Sequence, residues 1–227
     1  MSNHLWQRLG AASGIVYVVV LLGPDLIQGG PSEEPTMTAA EAIAHSCAIA
    51  TAAQPTDALI PILHTFGYLI FLFFLGSLWS ALRRAEGDDG WLSAAAFGGG
   101  LVSLAIKFAS GAASVAANSN ACAGIDPQLW QVLQDMNNAS FFLSFLPLAV
   151  LSAASAVVAI RFGAPLPRWL GWTSAVVAVT LLVDGMAGTL YAREFGPSFL
   201  LFMLWVSVTS IILIQRVGKP LNTFDER

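Results

Sequence analysis

The sequence predicts an all-α membrane protein, a polytopic bundle of six transmembrane helices with a short amphipathic helix in the first outer loop. Three observations carry that expectation. Of the 227 residues, 56% are hydrophobic and only 11% are charged, where a soluble domain carries roughly 25% charged residues. The mean hydropathy is +0.70. Too few charges exist to coat so large an apolar core in water, and a protein covered by lipid needs no such coat. Finally, six apolar runs approach the roughly 20 residues that a helix needs to cross the hydrocarbon layer. The whole chain, 1–227, reads as a single transmembrane domain. Its net charge of −4 and lack of any basic run argue against a nucleic-acid partner.

The spans fall at about 9–28, 58–82, 91–117, 135–161, 168–192 and 197–216. Residues 1–10, "MSNHLWQRLG", precede the first apolar run as the n-region of a signal peptide would. No small-x-small cleavage site follows closely, so this run reads as a retained helix that ends or kinks near Gly23-Pro24. The fourth span is overlong. Asp126-Pro127 has the form of an N-cap followed by proline at the first helical position, which starts the helix outside the bilayer, and Pro147 then bends it inside.

Lysine and arginine set the orientation. Arg8, Arg83, Arg84, Arg161, Arg168, Arg216 and Lys219 all fall on one side, the connections 29–56 and 118–126 contain neither residue, and Arg193 alone lies opposite. Both termini are therefore expected in the cytoplasm. Trp6, Trp79, Trp91, Trp169 and Trp172 fall at the inner boundaries and Trp130 at the outer one, as interfacial anchors do.

In the first outer connection, Thr38-Ala-Ala-Glu41 is a capping-box pattern opening a short helix. That helix either covers the ends of its neighbours or plugs the mouth of the bundle. Cys47 and Cys122 both fall in outer connections, in a compartment where disulfides persist. A bridge would tie the short helix to the loop between spans three and four; two free thiols in alanine-rich surroundings are the alternative. The stretches 8–25 and 169–185 share Leu-Gly, a serine and a β-branched run, which shared membrane composition explains as well as duplication does.

"QRLGAASGIVYVV" near the N-terminus and "APLPRWLGWTSAVVAVTLLVDGMAG" at span five resemble a bacterial family of six-helix integral membrane proteins of unknown function. The resemblance implies a multi-pass protein of the bacterial plasma membrane. It supplies no catalytic residues.

Ionisable groups inside a span are costly, by about 2.5–3.5 kcal/mol for a central charge on insertion scales. Four such positions stand out: His64 in span two, Lys107 in span three, Asp184 in span five and the Asp135–Asn138 cluster atop span four, with Asp25 at the outer end of span one. At 1.5 Å per residue, Lys107 lies ~16 Å below Asn118 and Asp184 ~13 Å below Arg193. All fall between the middle and the outer surface, as a shared pocket opening outward requires. Gly100, Ser103, Lys107, Ser110, Gly111, Ser114 and Asn118 recur at helical spacing, as do Thr173, Val177, Thr180, Asp184, Gly188 and Tyr191. Such small and polar stripes are also the ordinary helix–helix interface in lipid.

Lys107 has no acidic residue within its own span, and Asp184 is the deep group of opposite sign. Paired, the two would lock spans three and five together. Unpaired, each is a group able to exchange protons. His64, with Pro61 and Tyr68 on its face, is a packing histidine or a proton acceptor. With three histidines and two cysteines no metal-ligand spacing appears, and no phosphate loop, nucleophile elbow or dinucleotide motif is present, so neither metal nor cofactor is expected.

Three functions fit this inventory. The preferred one is a membrane isomerase or cyclase, acting by acid–base catalysis on a lipophilic, isoprenoid-like molecule that enters from the lipid. Asp184, Asp135, Lys107 and His64 would handle protons, and Phe66, Tyr68, Asn138, Phe141, Phe142, Tyr191 and Asp25 would bind the substrate. The others are a small transporter or proton-coupled permease, and an accessory or sensory subunit with a structural ion pair. A homo-oligomer stays open.

Overall fold

The structure, a computed structural model, describes residues 3–27, 37–52, 55–87, 90–163, 166–191 and 197–216. They form helices α1 (Asn3–Ile27), α2 (Ala39–Ala52), α3 (Pro55–Glu86), α4 (Trp91–Ser119), α5 (Pro127–Leu143), α6 (Phe145–Phe162), α7 (Arg168–Tyr191) and α8 (Ser198–Arg216), with a 3-10 turn at Ala121–Ala123. No strand occurs among the described residues. Among the described residues, six stretches are long and apolar enough to cross a membrane: Leu5–Gly23, Ile62–Glu86, Trp91–Ala123, Pro127–Phe162, Arg168–Gly188 and Ser198–Arg216. This is a multi-pass helical membrane protein, and the even number of crossings among the described residues brings the start of α1 and the end of α8 to one end of the bundle.

The spans close into a ring in which neighbours in sequence are neighbours in space: α1 packs on α3, α3 on α4, α4 on α6, α6 on α7, α7 on α8, and α8 returns to α1. Lipid tails are as apolar as leucine, so burial alone does not drive helices together inside a bilayer; close packing and hydrogen bonds do. Glycines set the closest approaches. A Cβ on Gly99 would sit 2.5 Å from the Pro147 carbonyl oxygen and 3.0 Å from the Leu151 nitrogen, which locks α4 against the backbone of α6. Gly171 meets Ile160 and Gly188 meets Phe142 in the same manner, and Gly14 on α1 faces Ser210 and Phe74. The middle of the ring is a ladder of buried aromatic rings. Tyr17 lies 4.6 Å from Phe71, Phe71 5.6 Å from Phe74, and Phe202 5.7 Å from Trp205, measured between ring centres. The Trp205 indole N–H donates to the Ser174 hydroxyl at 2.7 Å, which ties α8 to α7.

The overlong fourth span is two helices in line. Proline has no N–H to give the carbonyl four residues earlier and its ring crowds that turn, so a helix breaks just before it. Here the break falls at Ser144, three residues ahead of Pro147, and the Ser144 hydroxyl donates to the Phe141 carbonyl at 2.6 Å. At the start of the same span, the Asp126 carboxylate accepts from the Gln128 and Leu129 amides at 2.9 and 3.1 Å, with Pro127 at the first helical position. Glu86, the last residue of α3, caps α4 from outside. Its carboxylate accepts from the Leu92 and Ser93 amides, each at 2.8 Å, and from the Ser93 hydroxyl at 2.7 Å.

Helix α2 lies against the 3-10 turn, α5 and α4, at the end of the bundle remote from the termini. Ala39, Ala42, Ile43, Ser46 and Cys47 are half-buried, while Ala40, Glu41, Ala44, His45 and Ala48 are exposed. Cys47 and Cys122 stand at disulfide distance, with Cα atoms 4.9 Å apart, and so fasten α2 to the turn between α4 and α5. The capping box is formed. The Thr38 amide and hydroxyl each donate to Glu41 at 2.8 Å, and these bonds hold the Glu41 carboxyl below its usual range. A carboxyl lowered by folding stabilises the helix above its free pKa of about 4.3 and loses that contribution as pH falls through the lowered value. Amide exchange in the first turn of α2 is therefore expected to quicken on acidification through that range, beyond the intrinsic trend. Glu41→Gln should abolish the acid step; an unchanged step in that variant would disprove the cap's role.

Candidate functional site

A cavity opens where the fourth span breaks. It is lined by Tyr17 and Leu21 of α1, Tyr68 and Phe71 of α3, Ser103, Leu104 and Lys107 of α4, Phe141 at the end of α5, Ser144 at the break, Phe145 and Leu148 of α6, and Phe199 of α8. α1, α3, α4 and α6 each contribute residues three or four apart, which share one face. The cavity measures ≈ 30 Å³, room for about one water molecule.

Lys107 is the charged residue of this lining. It is half-buried, and its Nζ lies 3.7 Å from the centre of the Phe141 ring. A cation over an aromatic face gains about 2 kcal/mol or more when desolvated, so the ring supports the ammonium that the helix carries into the bundle. Phe141 is held in turn by Phe145 at 4.9 Å and Phe199 at 5.6 Å between ring centres. The Tyr17, Tyr68 and Ser103 hydroxyls make no hydrogen bond to another described residue, and the lining contains no carboxylate or carboxamide side chain.

The expected pairing of Lys107 with Asp184 is not formed. Asp184 is buried, 9% exposed, on α7, but α6 stands between α4 and α7 in the ring, and Asp184 does not line the cavity. The shared four-helix polar pocket is likewise corrected. Asp135 and Asn138 are exposed on α5, a helix with no buried residue. His64 sits one turn beyond Tyr68 on α3, off the lining, with a buried Nε2 that has no hydrogen-bond partner among the described residues. Phe66 is 57% exposed and turns out of the bundle. Phe142 wedges against Gly188 of α7 rather than facing the cavity. Of the residues read from the sequence, the structure brings together Lys107, Tyr68 and Phe141. The side chains of Asp25 and Tyr191 lie outside the described residues.

The sequence reading missed Tyr17, Ser144, Phe145 and Phe199. Tyr17 had a signal, a lone phenol inside the apolar run "GIVYVVVLL". Ser103 had one too, since it precedes Lys107 by four residues on the small and polar stripe. Among the described residues, no three His, Cys, Asp or Glu side chains gather as a metal site. The cavity thus offers an amine on an aromatic wall with hydroxyls on the same lining, a set of hydrogen-bond donors.

No protein-family model matches the chain, no curated protein matches it, and no solved structure matches it.

Proposed function

We propose that this multi-pass membrane protein takes a lipophilic, isoprenoid-like small molecule into the Lys107 cavity and does proton-transfer chemistry on it, as an isomerase or cyclase would. The observation that carries the reading is Lys107 in an aromatic cavity, its Nζ over Phe141 and no acid on the lining. Phe71, Phe145 and Phe199 line the cavity and are the rings that an apolar skeleton would part on entering. Lys107, Tyr17 and Tyr68 are the groups that give and take the proton, in place of the Asp184 and Asp135 that the sequence favoured. The arginine and lysine distribution supports cytoplasmic termini in a bacterial plasma membrane, and impermeant thiol reagents applied to intact cells read that sidedness. A permease fits less well. On the terminal side of the cavity Leu78, Leu82, Val158, Leu170 and Leu213 are buried among the hydroxyls of Ser152, Ser155, Ser174, Thr209 and Ser210, and no ionisable side chain is among the buried described residues there.

Organic extracts of purified protein test the reading. The wild type is expected to release a small molecule in near-stoichiometric amount by mass spectrometry. Lys107→Met should deplete it about tenfold, a loss of one charge-assisted contact, with the melting temperature little changed. Asp184→Asn should leave the yield alone. Equal yields from wild type and Lys107→Met would overturn the role of Lys107.

A further inference from the structure

Arg8, Arg83, Arg84, Arg161, Arg168 and Arg216 gather at the end of the bundle where α1 begins and α8 ends, and two of them stand apart from any acid. The α3–α4 connection sets Glu86, Asp88 and Asp89 against Arg83 and Arg84, and Arg84 also donates to the Ser80 hydroxyl at 2.8 Å. The α6–α7 connection, "GAPLP" at 163–167, carries no acid between Arg161 and Arg168. Both of these arginines are exposed, and neither forms an ion pair or hydrogen bond with another described residue. The Arg161 guanidinium lies 5.7 Å from the centre of the exposed Phe162 ring. The two helices meet closely here: a Cβ on Gly171 would sit 2.7 Å from the Ile160 side chain and 3.2 Å from the Ile160 nitrogen. Each arginine also ends an apolar lane on the outside of the bundle. Val150 and Val157 share the Arg161 face of α6, Trp172, Val179 and Val183 share the Arg168 face of α7, and all are exposed. The arginines thus stand at the membrane boundary, above surface that lipid covers.

We infer that the seam between α6 and α7 binds an acidic phospholipid, its phosphate between Arg161 and Arg168 and its acyl chains along the two lanes. Packed helices stand about 8–10 Å apart between axes, so arginine side chains rising from adjacent helix ends converge on one phosphate. Guanidinium and phosphate join through paired, charge-assisted hydrogen bonds. The aliphatic stem of each arginine keeps to the apolar boundary while its head stays among the headgroups. A bilayer supplies phosphate at this level, directly above the chains that cover the exposed valines. Charge selects among lipids. Two guanidiniums favour a headgroup of net negative charge, such as phosphatidylglycerol, whereas the ammonium of phosphatidylethanolamine meets them with like charge. Trp172, one turn below Arg168, is the ring that anchors at this interface. Arg161 lies about 20 Å along α6 from Leu148 of the Lys107 cavity, so the lipid site does not depend on what occupies that cavity.

Native mass spectrometry of the full-length protein in detergent, titrated with phosphatidylglycerol and phosphatidylethanolamine of identical acyl chains, tests the site. Phosphatidylglycerol is expected to bind about tenfold tighter, the effect of two arginines at a membrane surface. Arg161→Gln with Arg168→Gln should remove that preference, and each single variant should lower it about threefold. Arg84→Gln, at the same end but beside the α3–α4 connection, should keep it. Arg161 and Arg168 are exposed and bond no other described residue, so their variants should melt at the wild-type temperature; if the double variant fails to fold, the single ones decide. Equal binding of the two lipids by the wild type overturns the site. A loss in Arg84→Gln as large as in the double variant overturns its location and leaves a diffuse positive field over the whole end. Glycerol phosphate is expected to leave bound phosphatidylglycerol in place. Displacement by glycerol phosphate at comparable concentration overturns the role of the acyl lanes and reduces the site to one for a soluble phosphate.

Discussion

Gly99→Val is expected to destabilise the bundle by about 3 kcal/mol, the upper part of the range for overfilling a packed interior. The new side chain would begin 2.5 Å from the Pro147 carbonyl oxygen and 3.0 Å from the Leu151 nitrogen. Both are backbone atoms of α6 and cannot turn aside as a flexible side chain would, so α4 and α6 must separate. The neighbouring Gly98 is the control. A Cβ there meets nothing within 4 Å, and alanine is a better helix former than glycine by about 1 kcal/mol, so Gly98→Ala should melt at the wild-type temperature or above it. Thermal melts in detergent compare the two directly. A Gly99→Val protein as stable as Gly98→Ala would remove the close α4–α6 contact from the account.

Breaking the Cys47–Cys122 link is the second large effect. The cysteines are 75 residues apart in sequence, and closing a loop of that length is worth about 4 kcal/mol in a chain-entropy model. Inserted helices α3 and α4 already restrict the unfolded chain, so the expected loss for Cys47→Ser with Cys122→Ser is nearer 2 kcal/mol, the lower end of the usual range. The loss should concentrate in α2, which frees its backbone amides to exchange while the ring persists. Intact mass without reductant should be lower by two hydrogens than after reduction. On intact cells, an impermeant maleimide should label both thiols only after reduction. Labelling without reductant would mean the bridge is absent, and labelling only after cell lysis would reverse the orientation.

Much of the fold was legible because it is local. The lengths of the apolar runs fix the number of crossings, Asp126-Pro127 and Thr38-Glu41 act within one turn of helix, and Pro147 disrupts its own preceding turn. The two cysteines could be placed at one end of the bundle from charge alone. The order of helices around the ring could not be read in this way. It depends on which small-residue faces fit together: Gly99 against Pro147 brings α6 onto α4, and Gly171 with Gly185 brings α7 onto the far side of α6. Lys107 and Asp184 share a depth but face different neighbours, so equal depth was a poor guide to contact. Phe66 and Phe142 failed for a related reason. A phenylalanine on a membrane helix meets lipid, a neighbouring helix or a cavity with equal chemical ease, and angular position decides among them. Lys107 was identifiable because a charge in a span has few tolerable surroundings, and Tyr68 and Phe141 fall beside it.

The interruption at Ser144 is slight: its backbone stays helical, with φ −66° and ψ −18°, and its amide still donates to the Ser140 carbonyl at 3.0 Å. Here α6 is clamped between α4 and α7, while α5 carries no buried residue and is fastened at its far end through the Cys122 turn. Phe141, Ser144 and Phe145 wall the cavity at this interruption, so the hydrogen bond that Pro147 cannot make is missing beside the site rather than at a membrane surface.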